Sequence, residues 1–407
     1  MTTKHRLTRR AVLAGAGAAV AAPNIWTSAQ AQAAGTIKIG MPLTLTGPLG
    51  SVGQQQKRGA EFHTKMLNEK GGILGKKVEL LIEDTAGNPA NCVRKAQEMV
   101  ERHNVRLFTG ITLSSEALAV VPKLAEWNAI FISSDNGDGR LTAASFVPNF
   151  FRANTSGPMG TRAVSLYLRD EKKLQKFYAL GLDYAWGHNS VQVFENEVKR
   201  MGRQFLGKVF APTGTKDYST YITKIRQSGA DAVYLVLAGD DNNAFIAQAA
   251  QYQLASRMAM LSEQLELSTM RAVGDACLGM IVSSRYAFTI DNPKNKAFVE
   301  AWQKEHGGAV PDQFEGEQWQ CQQVFEAGIK KAGDIAADKL RPALEDLVID
   351  DIKGKVHIRK CDHQGVQQGF IVKATKRQGF NHPVPEVIAK LPADRVTPPC
   401  NKMTYDD

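Results

Sequence analysis

The chain has 407 residues, 43% hydrophobic and 22% charged, with a formal net charge of +9. That length exceeds what one core fills and points to two lobes. The basic excess is small and dispersed, since Lys76-Lys77, Lys172-Lys173, Lys330-Lys331 and Arg359-Lys360 each sit among acids. No basic arm with interleaved aromatics occurs, which argues against nucleic-acid binding.

Residues 1–33 read as a removable export signal. Lys4, Arg6, Arg9 and Arg10 come without an acid, Ala11 to Ala22 is uncharged, and Pro23 closes the run. Ala29-Gln30-Ala31-Gln32-Ala33 places small residues at signal-peptidase spacing, so cleavage is expected near Ala31–Ala33. Arg9-Arg10, after Thr8 and before Val12-Leu13, resembles the twin-arginine export motif, with the general secretory route as the alternative. The run is too short and too rich in Ala and Gly to span a bilayer, which takes roughly 20 strongly apolar residues. No later stretch qualifies, and no Cys near the cleavage site could carry a lipid. Gly15-Ala16-Gly17-Ala18-Ala19 imitates a dinucleotide-binding turn, but it lacks the third Gly and follows no strand. Loss of the signal removes four positive charges and lowers the net charge from +9 to +5.

From residue 36 onward, strand and helix patterns alternate. Strands are expected at 36–43, 77–83, 106–108 and 129–133, with helices near 53–70, 89–102 and 115–127. In the second of these helices Val93, Ala96, Met99 and Val100 share a face. The pattern restarts with strands at 177–180, 204–211, 232–237, 258–261 and 278–283. Helices are expected after Gly187 and at 218–227 and 242–252. Helices at 293–306 and 314–332, a strand-rich stretch at 353–373 and a Pro-rich tail follow. Strands alternating with helices of these lengths imply parallel βαβ units, here in two series and therefore two α/β lobes. In such sheets ligands bind beyond the carboxyl ends of the strands. The segments of interest are 47–53, 110–115, 133–137, 182–187, 238–243, 261–264 and 284–288.

Cys92, Cys277, Cys321, Cys361 and Cys400 fit no zinc spacing, and their odd number leaves at least one thiol free. Cys361–Cys400 is the expected pair, pinning a tail that carries Pro398-Pro399; five unpaired cysteines are the alternative. No phosphate loop, HExxH or GxSxG is present, and Gly71-Gly72-Ile73-Leu74-Gly75-Lys76 has the wrong spacing for the first. His357 and His363 stand too far from other ligands to suggest a metal. No enzyme activity, metal or cofactor is expected.

Ser114 and Ser115 stand where a helix begins, so backbone N–H groups and the positive dipole end could meet a carboxylate. Simple N-capping accounts for the same residues. Tyr184 and Trp186 occupy a loop after a strand, beside Gly187, where a ligand, the opposite lobe or their own helix could cover the rings. Tyr286 and Phe288 allow the same argument, or serve as packing at a passage between lobes.

Several segments together carry a resemblance. They are Ile37-Lys38-Ile39-Gly40, Leu45-Thr46-Gly47-Pro48, Asn68-Glu69-Lys70-Gly71-Gly72-Ile73-Leu74-Gly75, Glu83-Asp84 with Asn88-Pro89, and Thr109-Gly110. Tyr184-Ala185-Trp186-Gly187, Ala232-Val233-Tyr234 with Gly239-Asp240, Gly274-Asp275 and Gly279 complete the series. In this order the chain resembles the leucine/isoleucine/valine-binding type of periplasmic solute-binding protein along its mature length. The resemblance implies an α/β fold of two doubly wound parallel-sheet lobes joined by three crossings (the type I periplasmic binding protein fold). It places the crossings near 154, 286 and 350, giving lobe 1 as 35–153 plus 287–349 and lobe 2 as 154–286 plus 350–407. It also implies a periplasmic monomer that captures a small molecule between its lobes and delivers it to the membrane permease subunits of an ABC transporter.

The resemblance assigns a ligand carboxylate to Ser114 and to the loop Asp135-Asn136-Gly137, and a covering aromatic to Trp186. Asp135 departs from the family's small uncharged residues and would repel a carboxylate unless it meets a donor. Ala238-Gly239 stand where relatives carry an amine-binding Tyr. Ser262, with Glu263 one step on, stands where they carry an acid. An unpaired buried ammonium costs several kcal/mol. The expected ligand is therefore a hydrophobic or aromatic carboxylate, stacked on Trp186, Tyr184 and Tyr286. Branched-chain amino acids held through Glu263 are the alternative, and a ligand sensor for short amides or urea the third.

Overall fold

The computed structural model describes residues 35–405, and the expected export signal lies outside the described residues. β1 (Thr36–Leu43) pairs in parallel with β2 (Lys77–Asp84) on one side and β3 (Leu107–Phe108) on the other. β4 (Ile130–Ser133) and β5 (Phe150–Arg152) extend the sheet in the order β2-β1-β3-β4-β5. All four residues of β4 are buried, as expected for a strand covered on both faces. Helices α1 (Gly50–Glu69), α2 (Pro89–His103) and α3 (Ser114–Val120) make the connections. The bounds of α2 follow from local chemistry. The Asn88 side chain accepts from Asn91 N at 3.1 Å, Pro89 takes the first turn, and Asn104 closes the helix in the left-handed region.

The second lobe opens with α4 (Gly157–Leu168), capped by Ser156. There follow β6 (Lys176–Leu182), α5 (Ala185–Arg200), β7 (Gln204–Ala211), α6 (Ser219–Gln227), β8 (Ala232–Val236) and α7 (Gly239–Gln251). β9 (Ala259–Ser262), α8 (Leu267–Val273) and β10 (Ile281–Ser284) complete the parallel series. β6 lies between β7 and β8 just as β1 lies between β2 and β3, so each sheet has one point where its connections diverge.

The chain then returns. α9 (Pro293–Glu305), α10 (Gln313–Ala332) and α11 (Ala337–Leu344) lie toward the first lobe, and Arg58 of α1 bonds Glu315 of α10 at 2.7 Å. β11 (Leu347–Asp351), β12 (Gly354–Ile358) and β13 (Gly365–Val366) form an antiparallel meander. Leu347, Val356 and Ile358 of this meander join the core of Ile37, Ile39 and Leu107. β14 (Gly369–Thr375) and β15 (Val384–Leu391) add to the second sheet beside β10, and the short α12 (Ala393–Val396) follows.

The third passage between lobes therefore falls at 367–368 and not near 350, because the meander shares the first lobe's core. The first two fall at 153–156 and 285–292. Backbone at the passages is served by side-chain amides, with Gln320 and Gln367 both donating to Ala153 O, at 2.8 and 2.9 Å. The Pro-rich tail contains a strand after all. β15 is an edge strand, where Pro385 is tolerated. Cys361 and Cys400 are joined by a disulfide, while Cys92, Cys277 and Cys321 are buried thiols. Among the described residues no helix is long and apolar enough to cross a membrane.

Glu317 of α10 and Lys353, between β11 and β12, form an ion pair with side chains 0% and 1% exposed. Removing one partner of such a pair leaves a buried charge and costs about 3–5 kcal/mol, whereas replacing both by apolar groups is often neutral. Lys353→Met is expected to lower stability to urea by that amount, and the double variant K353M/E317L to regain most of it. A single-variant loss under about 1 kcal/mol would contradict this account.

Candidate functional site

The carboxyl ends of the two parallel series face each other, and a cavity lies between them. From the first lobe it is bordered by Leu49 and Val52 after β1, Thr112 and Ser114 after β3, and Asp135 and Gly137 after β4. From the second come Tyr184 and Trp186 after β6, Ala238 after β8 and Gln264 after β9. Arg285, at the second passage, and Phe314, in the first turn of α10, close the ring. The space is narrow. Its volume is about 290 Å³, including the part open to solvent.

Arg285 organises the site. It is 3% exposed, and its Nη1 lies 2.7 Å from Asp135 Oδ1 and also donates to the Asp135 carbonyl. Its Nη2 lies 3.7 Å from Glu263 Oε1, which accepts a 2.7 Å bond from Trp186 Nε1. The guanidinium carbon is 6.0 Å from the Trp186 ring and 5.9 Å from that of Phe314. A charge from the passage is thus tied to a carboxylate of each lobe and to aromatic faces. Burial pushes Asp135 up to about 7 against the pull of Arg285, and burial likewise holds Glu263 at about 7. Burial also drives the Tyr184 phenol well above its ordinary value, so it stays a neutral donor.

Of the residues singled out from sequence, Ser114, Asp135, Tyr184 and Trp186 border the cavity. Ser114 Oγ accepts from Gly137 N and Asp138 N, each at 3.1 Å, which leaves its own proton to donate. Its neighbour Ser115 is half-buried on α3 and lies outside the lining. The Asn136 amide is consumed in loop-to-loop bonds, donating to Ile111 O at 2.6 Å and accepting from Ser133 Oγ at 2.9 Å. Glu263 stands behind the wall as a holder of Trp186 and Arg285. Tyr286 packs against Gly316 and bonds Asn295 Oδ1 at 2.9 Å, so it serves the passage and not the cavity. Gly239, with φ +57°, lets Pro48 of the opposite lobe approach, since a Cβ would lie 2.6 Å from Pro48 O. Its neighbour Ala238 borders the cavity instead.

Sequence reasoning passed over Arg285, Gln264, Thr112 and Phe314. Arg285 adjoins Tyr286 in a segment marked for attention, and a lone base facing the unexplained acids Asp135 and Glu263 was the available signal. Gln264 is 3% exposed and its Oε1 has no hydrogen-bond partner in the protein. The lobes also meet outside the cavity. Asp312, at the start of α10, accepts from Leu267 N and Ser268 N of α8 at 2.7 and 2.8 Å, and Asp240 N donates to Pro48 O at 3.1 Å.

Residues 36–379 match the family model described as periplasmic binding protein. The chain belongs to that family. A Leu/Ile/Val-binding protein homolog of Brucella melitensis is 30% identical over 200 residues, which span 49% of this chain and about half (53%) of that protein. An ABC transporter substrate-binding protein from Sphaerobacter thermophilus superposes with a TM-score of 0.81 at 26% identity, covering 88% of this chain and 98% of its own. A solute-binding protein of an ABC transporter from Rhodopseudomonas palustris, solved with 3,4-dihydroxy benzoic acid, gives 0.81 at 22% identity over 88% and 98%. The architecture is the type I periplasmic binding protein fold.

Gly137 faces Trp186 of the second lobe with no room for a side chain, because a Cβ there would lie 2.5 Å from Trp186 and 2.8 Å from Arg285 Nη2. Gly137→Ala is expected to hold the lobes apart and weaken ligand binding at least about tenfold, equivalent to about 1.4 kcal/mol. The melting temperature of the ligand-free protein should stay within about 2 °C, since the added methyl meets its clash only on closure. Unchanged affinity by calorimetry would show that closure does not require this contact.

Proposed function

We propose that this exported protein captures a small aromatic carboxylate in the cleft and presents it, as a periplasmic monomer, to the membrane permease subunits of an ABC transporter. The supporting observation is the cavity's composition. Tyr184, Trp186 and Phe314 supply flat apolar walls, while Ser114 and the Arg285 guanidinium supply carboxylate donors among them. The acid in the lining, Asp135, is already bonded to Arg285, so a ligand ammonium would compete with a guanidinium for it. The narrowness of the space favours a single ring, and Gln264 Oε1 is an acceptor suited to a ring hydroxyl. The Rhodopseudomonas palustris protein of the same fold, solved with 3,4-dihydroxy benzoic acid, is consistent with that chemistry.

Branched-chain amino acids are the second reading. The name of the Brucella melitensis relative favours them, with Asp135 or Glu263 and the Gln264 acceptor as amine partners. Binding without turnover is expected in either case.

A thermal-shift screen of the mature protein against benzoates, branched-chain amino acids and short amides separates the readings. A ligand at a hundredfold excess over Kd adds about 2.7 kcal/mol, which is plain in the melting curve. Benzoates should shift melting and leucine should not, and Arg285→Gln should remove the shift. A shift with leucine alone would reverse the assignment.

A further inference from the structure

We propose that capture of the aromatic acid is coupled to uptake of about one proton by the Asp135–Arg285–Glu263 cluster, and this rests on the ligand reading above. One guanidinium here faces two carboxylates, Asp135 at 2.7 Å from the first lobe and Glu263 at 3.7 Å from the second. A further buried cation lies nearby, Arg152 of β5, but its guanidinium donates to the Asp138 carbonyl, Thr142 and Gln364 and not to either acid. Glu317 of α10 is matched by Lys353, Glu266 ahead of α8 is a further buried acid bonded to Asn242, and Tyr184 ahead of α5 and Tyr234 of β8 are neutral phenols. A ligand carboxylate laid on Arg285 is a third anion on one cation, in a buried site where repulsion between charges is weakly screened.

Protonation relieves this. A solvent proton adds to an Asp135 carboxylate oxygen, the charge there falls to zero, and the new O–H donates to the ligand carboxylate. Burial already brings both acids to about 7, so the incoming anion need only raise a proton affinity that is poised at neutral pH. Because the complex holds more protons than the free partners, affinity rises as pH falls through neutrality. A zwitterionic amino acid would do the reverse, since its ammonium keeps the carboxylates ionised.

Calorimetry of the mature protein with 4-hydroxybenzoate at pH 7, in buffers of different ionisation heat, reads the proton number directly. Uptake of about one half to one proton is expected, with affinity about tenfold higher at pH 6 than at pH 8. Asp135→Asn, which mimics the protonated carboxyl, should flatten the pH profile, and Glu263→Gln provides a second variant if the first does not fold. Binding heats independent of buffer, or proton release, overturn the coupling and leave the ligand class standing. If no aromatic acid binds, the ligand reading falls and the coupling with it.

A different observation carries a second proposal, independent of the ligand. We infer that the Cys361–Cys400 disulfide limits how far the lobes swing apart. Cys361 follows β12 in the meander that shares the first lobe's core, where neighbouring His363 stacks on Phe151 of β5 with centroids 3.9 Å apart. Cys400 lies in a segment held by the second lobe at both ends. Val396 is in that lobe's core, and the Tyr405 hydroxyl donates to Pro158 O of α4 at 2.9 Å. The segment is thus a strap anchored twice on one lobe and covalently tied to the other between the anchors. Asn401 N adds a 3.0 Å bond to Asp362.

Small-angle scattering of the ligand-free protein before and after reduction with a phosphine tests this. Reduction should enlarge the radius of gyration and weaken binding severalfold, because wider opening lowers the population of the closing state. Cys400→Ser should match the reduced protein, and Cys277→Ser, removing a thiol outside the strap, should match the oxidised one. Identical scattering from oxidised and reduced protein overturns the proposal.

Discussion

A guanidinium buried where the chain passes between lobes is the constraint on which the rest of the site depends. A buried guanidinium needs a carboxylate beside it, and here Arg285 has two, Asp135 at 2.7 Å from the first lobe and Glu263 at 3.7 Å from the second. Asp135 comes from the loop after β4 of the first lobe, whereas Glu263 follows β9, the strand paired with β10 that leads into Arg285. Trp186 is then fixed by its bond to Glu263, and Gly137 must lack a side chain to let that ring in. One interaction therefore bears on the positions of the acid, the aromatic wall and the approach of Gly137 to Trp186.

The passages keep their buried backbone hydrogen-bonded without a sheet ladder. Their backbone leaves the sheets and loses ladder partners while remaining buried, a condition that costs free energy unless other donors step in. Gln320, Gln367 and Gln364 provide them, donating to Ala153 O and Asn154 O from elements on the first-lobe side. The Glu317–Lys353 pair sits close by, almost fully excluded from solvent. Amide networks of this kind hold direction while keeping each bond individually modest, which suits a joint between rigid lobes. The interlobe contacts at Asp312 and Pro48 lie outside the cavity, so part of the closing energy is independent of the ligand.

The ligand question turns on charge balance more than on shape. Aromatic rings line the cavity from both lobes, but the count of two acids against one base is what separates an acid ligand from a zwitterion. A carboxylate needs the cluster to take a proton, whereas an ammonium needs it to stay ionised. Both acids are held by burial near the pH where either outcome is accessible.

Much of this protein was legible in its sequence. The alternation of apolar strands with capped amphipathic helices, such as Asn88-Pro89 opening α2, depends on neighbours a few residues away and so can be read along the chain. Strand ends mark where a cleft must lie, which is why Ser114, Asp135, Tyr184 and Trp186 were found to border it. The Cys361–Cys400 pair followed from a tail in need of an anchor. What only tertiary structure decided involves partners far apart in sequence. Asp135 and Arg285 are 150 residues apart, and nothing local to Asp135 announces the base that neutralises it. Asn136, Gly239 and Tyr286 stand outside the cavity lining for the same reason, because an amide, a glycine or a phenol serves a ligand, a loop or a neighbouring lobe equally well in isolation. The meander at 347–366 joined the first lobe because Val356 and Ile358 found their core there, a choice that strand periodicity alone leaves open.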